Sequence, residues 1–426
     1  MKTAKTSWVL ILFISILILY VPLYWFWLAG NWSTYSLIEN RELNIFPQIN
    51  LLDLKISVYK MLRDNSNESL INFIEPFVLG DFQEKANLAV NDQIPKRLEL
   101  IFLAKGLERS LINSAYIFLG DPAIPASINS EYHLLRQSPN FFIQRPALFT
   151  DAQVNTIDKR IQNYEKLIKM YPKQKFFVFY FERMAFAPYN PLNKHFSNAD
   201  QGQSYQYFLK NKPENLFVTD LRLNNLVDHQ EYFYMTDHHW NVRGAWKAYE
   251  IIYEMLKQVY PDISPKLKLK GFLKIPGAEF CGSYSRRTLY PCTPDAFEYA
   301  DVDLPEFKTL VNGEEKFYGN KDDYLAGNFS RDKYANHYAE FFGPVVALVE
   351  YRFKNDSDRN LLIIGSSYTQ AMQEYVASHY KNTYVVDLRE YKDFSMGKFI
   401  KDYKINDILV IGDIIVYRRE GWLINP

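Results

Sequence analysis

Near the C-terminus, short apolar runs alternate with helix-patterned stretches, and this alternation restricts the fold more than any other feature of the chain. Leu361 to Ile364 is uninterrupted by a polar residue and stops at Gly365. Ala371, Met372, Tyr375 and Val376 then follow at helical spacing. Next come the run Tyr384 to Val386, a helical stretch around Met396 to Tyr403, and the run Ile408 to Ile411. Brief continuous apolar strands separated by helices suit a parallel sheet, because helices on both faces leave each strand dry on both sides. The order strand–helix–strand–helix–strand therefore predicts an α/β fold of the doubly wound kind with right-handed crossovers. Sites in such sheets lie beyond the C-terminal strand ends, and Gly365-Ser366-Ser367 stands at one of them.

The middle of the chain supplies more units of the same type. Ala152 to Tyr171 carries Val154, Ile157, Ile161, Tyr164, Leu167 and Ile168 at helical spacing and stops at Pro172. Phe176 to Phe181 follows as a buried strand, and Leu216 to Thr219 is a second, shorter one. Asn241 is placed to cap a helix running through Ala245, Ala248, Ile252, Met255 and Leu256. Further upstream, residues 81 to 114 read as helical, and Tyr116 to Leu119 before Gly120-Asp121-Pro122 reads as a strand entering a turn.

The N-terminus bears on location. Trp8 to Ala29 is an apolar run without a charge, about the ~20 residues that span a bilayer. Lys2 and Lys5 precede it and Trp25 and Trp27 sit near its far end, so the short tail is expected inside and the rest exported. A cleaved signal peptide is the alternative, but Leu28-Ala29-Gly30 is a poor cleavage site. The expected organisation is a tail and anchor over 1–30, a stalk over 31–75 and an extracytoplasmic catalytic domain over 76–426. Lys+Arg and Asp+Glu are balanced at 49 each, with no long basic run, which argues against nucleic acid as a partner. Cys281 and Cys292 are the only cysteines. In an oxidising compartment they can close a small disulfide loop; otherwise they are buried thiols.

Two motifs carry chemistry. Ser367 sits between a buried strand and a predicted helix, where free backbone N–H groups can face a developing oxyanion; the bland alternative is a helix cap. Thr236-Asp237-His238-His239-Trp240 places a carboxylate two residues before an imidazole. Such a step lets Asp237 fix the His239 tautomer while the other ring nitrogen accepts a serine proton. The competing readings are a polar turn with a structural histidine, or a metal site shared with Asp228 and His229. No further ligand cluster completes a metal shell, so neither metal nor cofactor is expected.

Thr236 to Trp240 with Gly244-Ala245 closely resembles the signature of the DHHW protein family, relatives of the periplasmic alginate O-acetyltransferase proteins. The likeness extends, in colinear order, over most of the exported chain. It takes in Glu39 to Pro47, Asn91 to Arg97, Phe280 to Tyr284, Pro294-Asp295, Tyr338 with Phe341-Phe342-Gly343, and Leu361 to Tyr368. The resemblance implies an SGNH-hydrolase-like fold in permuted order. Asp237 would orient, His239 act as base and Ser367 act as nucleophile. The implied reaction moves an acetyl group onto a hydroxyl of an exported polysaccharide, with a membrane-bound O-acyltransferase supplying the donor. An esterase with the same triad, or a non-catalytic glycan-binding component, are the alternatives.

This chain departs from the family pattern at Ser366, where the family has Asp, and at Pro344-Val345, where Gly-Asn is common. An oxyanion donor would then come from the Ser367 N–H or from Arg183, and Ser366 is a second candidate nucleophile. His238 is expected to be structural or to line the site. Trp240 is core packing or a sugar platform, and Tyr338 is a candidate binding residue.

Overall fold

The computed structural model describes residues 32–39, 41–45, 81–94, 96–119, 126–127, 132–134, 142–290 and 292–412. The apolar run Trp8 to Ala29 and the expected domain start at residue 76 lie outside them. Among the described residues, no helix is long and apolar enough to cross a membrane. The chain divides into two compact units, 1–110 and 111–426.

In the first unit, two of the short segments singled out by sequence bind each other. Tyr35–Ser36 pairs with Arg41–Glu42. Arg41 then meets Asp92, the last residue of helix α1 (Asp81–Asp92), at 2.6 Å, and Arg97 meets Glu39 at 2.6 Å. The Asn44 backbone and side-chain amides also donate to Asp92, at 2.9 and 2.7 Å. Arg41 and the Asn44 amides hold the Asp92 carboxyl well below its usual range even though burial opposes this.

The single helix expected over 81–114 is instead two, α1 and α2 (Arg97–Leu119). Pro95 accounts for the break, since it lacks an N–H and disfavours helical backbone before it. Tyr116 to Leu119, expected as a strand, continues α2. A four-residue apolar run cannot be told from the end of a buried helix by its period.

The second unit is built on an eight-stranded mixed sheet. In chain order, helix α3 (Asp151–Met170) leads into β1 (Lys175–Phe181), and helix α4 (Gln203–Asn211) into β2 (Leu216–Leu221). Helices α5 (Leu226–Tyr232) and α6 (Val242–Val259) precede a hairpin of β3 (Leu269–Phe280) and β4 (Asp295–Val302). Strands β5 (Phe307–Val311), β6 (Glu314–Glu315), β7 (Leu348–Phe353), β8 (Asn360–Ile364), β9 (Asn382–Val386) and β10 (Asp407–Gly412) complete the set. The sheet order is β6-β5-β7-β9-β8-β10-β1-β2. From β9 to β2 every pair is parallel, whereas β6, β5 and β7 form an antiparallel extension.

The parallel strands β1, β8 and β10 are buried on both faces, as their unbroken apolar runs require. In β1, Phe177, Phe179 and Phe181 join one core with α6, while Phe176, Val178 and Tyr180 join a second core with α3 and α4. Strands β8 and β10 divide their residues between the same two cores: Leu361, Ile363, Leu409 and Ile411 against Leu362, Ile364, Ile408 and Val410. Two-residue side-chain alternation places a helix layer on each face. The chain is thus mixed α/β with a mostly parallel central sheet.

One expected helix is shorter. The segment after Gly365 is a 3₁₀ turn, Ser367–Ala371, followed by a separate short helix, Gln373–Ala377. The Ser367 segment therefore lacks the aligned peptides of a long helix, and any macrodipole there is small.

Candidate active site

Asp237 and His239 sit on a closed loop between α5 and α6. Phe233 and Trp240 form an antiparallel bridge, Tyr234 N–H donates to His239 O at 3.2 Å, and Asn241 N–H donates to Tyr232 O at 2.9 Å. The Asn241 side chain then caps α6 through the Arg243 and Gly244 N–H groups. Gly244 packs so closely that a Cβ there would lie 2.3 Å from the Tyr232 carbonyl. Trp240 is fully buried, its ring 4.7 Å from Phe181 and 5.6 Å from Tyr368. Of the two readings of Trp240, the structure shows core packing: no face of the indole reaches solvent.

A second segment wraps this loop. Thr236 Oγ1 accepts from Gly282 N–H at 3.0 Å, and Tyr284 N–H donates to Thr236 O at 3.0 Å. Ser283 N–H donates to Asp237 Oδ2 at 2.5 Å. At Gly282 a Cβ would fall 2.2 Å from the Asp237 Cβ, so the close approach requires glycine. Cys281 is disulfide-bonded to Cys292 and thereby ties off the end of β3. Asp295, the first residue of β4, accepts from the N–H groups of Met235 and Thr236 at 3.0 and 2.9 Å and from the Thr236 hydroxyl at 2.6 Å. Burial, helped by the nearby Asp237 charge, raises the Asp295 pKa to about 6 against those hydrogen bonds.

Within this cradle the His239 Nδ1 lies 2.5 Å from Asp237 Oδ1, which also accepts the His239 N–H at 2.9 Å. Burial opposes ionisation of Asp237. The imidazoles of His238 and His239, with the bonds from His239 and Ser283, outweigh it and hold the carboxyl well below its ordinary range. Asp237 is therefore a carboxylate at neutral pH, able to fix the proton on His239 Nδ1.

Ser367 arrives from the other direction, at the C-terminal end of β8. Its Oγ is 2.7 Å from His239 Nε2, across 128 positions of sequence. Gly365 lets the strand turn, since a Cβ there would meet the Thr369 methyl at 2.2 Å. Thr369 N–H and Oγ1 both donate to the Ser366 carbonyl, at 2.8 and 2.9 Å, which fixes the turn. Tyr338, fully buried, stacks its ring on His239 at 4.0 Å and 9° and donates its hydroxyl to Ser367 O at 3.1 Å. It holds both partners, so the expectation of a ligand-binding role is corrected to one of positioning. Burial keeps its phenol protonated, with a pKa well above the ordinary value.

The remaining expected residues surround this chain of bonds. His238 is partly exposed beside His239, with ring centroids 3.9 Å apart, and its Nδ1 is 2.6 Å from Ser283 Oγ. Arg183 follows β1 and donates to Gln144 Oε1 at 3.2 Å; it is within electrostatic reach of His238. Ser366 and Ser367 border a cavity of about 20 Å³, also lined by Tyr318, Val345, Gln370 and Asp387. Val345, from the Pro344-Val345 departure, gives that cavity an apolar wall, and the Pro344 carbonyl accepts from Tyr318 at 2.6 Å. The donor atoms of Asp237, His238 and His239 lie within 4.8 Å of one another, but they are engaged with each other and with Ser283.

Sequence reasoning had no role for Gly282, Ser283 or Asp295. Their signal was present only as short matches in colinear order with the histidine motif.

Fold and site together define an α/β protein with an Asp–His–Ser chain of hydrogen bonds at the C-terminal edge of its parallel strands. No family model matches the sequence, and no curated protein matches it. Solved structures do share the fold. Bacillus cereus PatB1 with a sulfonyl adduct is 15% identical with a TM-score of 0.54, covering 67% of this chain and 98% of that one. A DHHW family protein from Eubacterium siraeum is 21% identical with a TM-score of 0.52, covering 70% of this chain and 95% of its own.

Proposed function

We propose that this chain is a serine-dependent acyltransferase that moves an acetyl group to hydroxyls of an exported or cell-envelope polysaccharide. The observation that carries the reading is the continuous bond path from Asp237 Oδ1 through the His239 ring to Ser367 Oγ, at 2.5 and 2.7 Å. An imidazole whose Nδ1 faces a carboxylate presents Nε2 as a base, and the serine hydroxyl is its proton source. Ser367 attacks the donor carbonyl while His239 takes the proton. Collapse of the tetrahedral intermediate releases the donor's alcohol or thiol with that proton and leaves acetyl-Ser367. The acceptor hydroxyl then attacks, gives its proton to His239, and displaces Ser367 Oγ, which recovers it.

Two details of the site support acetyl as the group. The cavity of about 20 Å³ beside Ser367 accommodates roughly one water-sized group, the scale of a methyl. The first turn after β8 leaves backbone N–H groups without intrahelical acceptors, and in this reading that of Ser367 meets the oxyanion. The permuted order, with Asp237 and His239 before the serine, fits an SGNH-like lineage. In this reading the apolar N-terminal run anchors the chain, residues 31 onward are extracytoplasmic, and a membrane-bound O-acyltransferase supplies the acetyl donor.

The test is turnover of p-nitrophenyl acetate with and without an oligosaccharide acceptor, in wild type and Ser367→Ala. Nitrophenol release that rises with acceptor and yields acetylated sugar, both lost in the variant, is the expected result. Release indifferent to acceptor points to an esterase, and a Ser367→Ala variant as active as wild type refutes the assignment.

A further inference from the structure

The second imidazole of the motif remains unused by the triad, and its surroundings are specific. His238 Nδ1 lies 2.6 Å from Ser283 Oγ and 3.5 Å from Asp237 Oδ1. The carboxylate favours the proton on the nearer nitrogen, so Nδ1–H donates to Ser283 Oγ and Nε2 keeps its lone pair. Nε2 has no hydrogen-bond partner among the described residues, and 26% of the side chain is exposed although its loop is buried. Tyr368 fixes the backbone behind it by donating to the His238 carbonyl at 2.5 Å. Burial, the neighbouring His239 and the more distant Arg183 and Arg287 keep the ring neutral, against the pull of Asp237.

We infer that His238 binds the acceptor, accepting a hydrogen bond at Nε2 from a second hydroxyl beside the one that attacks. This rests on the acyl-serine reading above. The two rings are 3.9 Å apart, so a pair of hydroxyls on adjacent ring carbons can address both imidazoles at once. One gives its proton to His239 as its oxygen bonds the acyl carbon; the other only donates to His238 and is released unchanged. The preferred acceptor is therefore a vicinal diol rather than an isolated alcohol. Water cannot bridge the two positions as a diol does, so the device favours transfer over hydrolysis. Ser283 positions His238, and it does so from the same residue whose N–H clamps Asp237.

The experiment measures the ratio of acetylated product to free acetate. The full-length protein is given p-nitrophenyl acetate with either cis-1,2-cyclohexanediol or cyclohexanol. Wild type should acetylate the diol in clear preference. His238→Asn keeps a polar group near the Nδ1 position and loses Nε2; His238→Gln places one near Nε2. The loss of one neutral hydrogen bond corresponds to about two- to ten-fold in the ratio. The Asn variant should show that fall with the diol and none with cyclohexanol, and the Gln variant should recover part of it. Transfer and hydrolysis falling together in both variants, or no preference for the diol in wild type, overturns the inference while leaving the triad standing. Absence of nitrophenol release from wild type overturns the triad and this inference with it.

Discussion

The two arms of the site are held by different physics. The Asp237–His239 arm is a polar cradle, in which Asp295, Thr236, Gly282 and Ser283 satisfy one another's hydrogen bonds and the Cys281–Cys292 bond closes the end. The Ser367 arm is an extension of the apolar core: β8 is buried on both faces, and the turn beyond it is fixed by Gly365 and Thr369. Tyr338 joins them by stacking on one and bonding the other. A polar cradle sets the direction of a proton but is sensitive to any one missing partner. A packed strand end sets position and is sensitive mainly to volume.

Substitutions that separate these two supports sharpen the comparison. The largest effect is expected from the reacting atom itself. Ser367→Ala should lower acetyl-ester turnover by about a thousand-fold or more while the far-ultraviolet circular dichroism stays that of wild type. Next is Gly282→Ala, which drives a methyl into Asp237. A shift of that kind in a catalytic group costs roughly a hundred-fold in kcat, with KM much less changed. The same substitution at Gly271, half-buried but with nothing within 4 Å of a Cβ, should leave kcat as it was.

Reduction of the Cys281–Cys292 bond tests how much the cradle depends on its closed end. The bridge spans 11 positions, and a loop of that scale stabilises by about 2–3 kcal/mol. The expected result is a lower melting temperature in dithiothreitol, absent in a Cys281→Ser/Cys292→Ser double variant. An equal shift in the double variant would show that the reductant acts elsewhere.

The smallest effect concerns the far side of the sheet. Glu182 follows β1, is 1% exposed, and has a buried Oε1 without a hydrogen bond. Burial raises its pKa to about 8; Arg222 opposes this, and Asp220 and Asp200 add to it. The folded pKa is the higher one, so its favourable contribution is complete below the unfolded value near 4.5 and is lost as pH rises toward 8. Glu182→Gln should therefore gain stability over wild type at pH 8 and none at pH 4, measured by urea unfolding. A gain independent of pH would mean that packing, not ionisation, sets the cost.

The parallel half of the sheet was legible in the sequence because dry strands must be continuously apolar. Phe176–Phe181, Leu361–Ile364 and Ile408–Ile411 are read directly as strands. The antiparallel half was not. Phe307–Val311 and Leu348–Phe353 include Lys308 and Arg352, which are exposed, and Glu350, which is buried but paired with Arg352 at 2.7 Å, and these charges dilute the signal. Asp237, His239 and Ser367 were legible as types and spacing, but nothing local says that positions 128 apart meet. The cradle was hidden because Gly282 and Asp295 act through a backbone approach and a carboxylate bridge, neither of which has a periodicity. The part Tyr338 plays was hidden for a related reason. An aromatic beside a motif gives no hint of its burial.

The most direct measurement is peptide mapping after treatment of the full-length protein with a fluorophosphonate. One phosphonylated side chain, Ser367, is expected, with loss of that labelling in His239→Ala. Modification of Ser366 instead, or labelling of Ser367 that persists without the imidazole, would contradict the assignment.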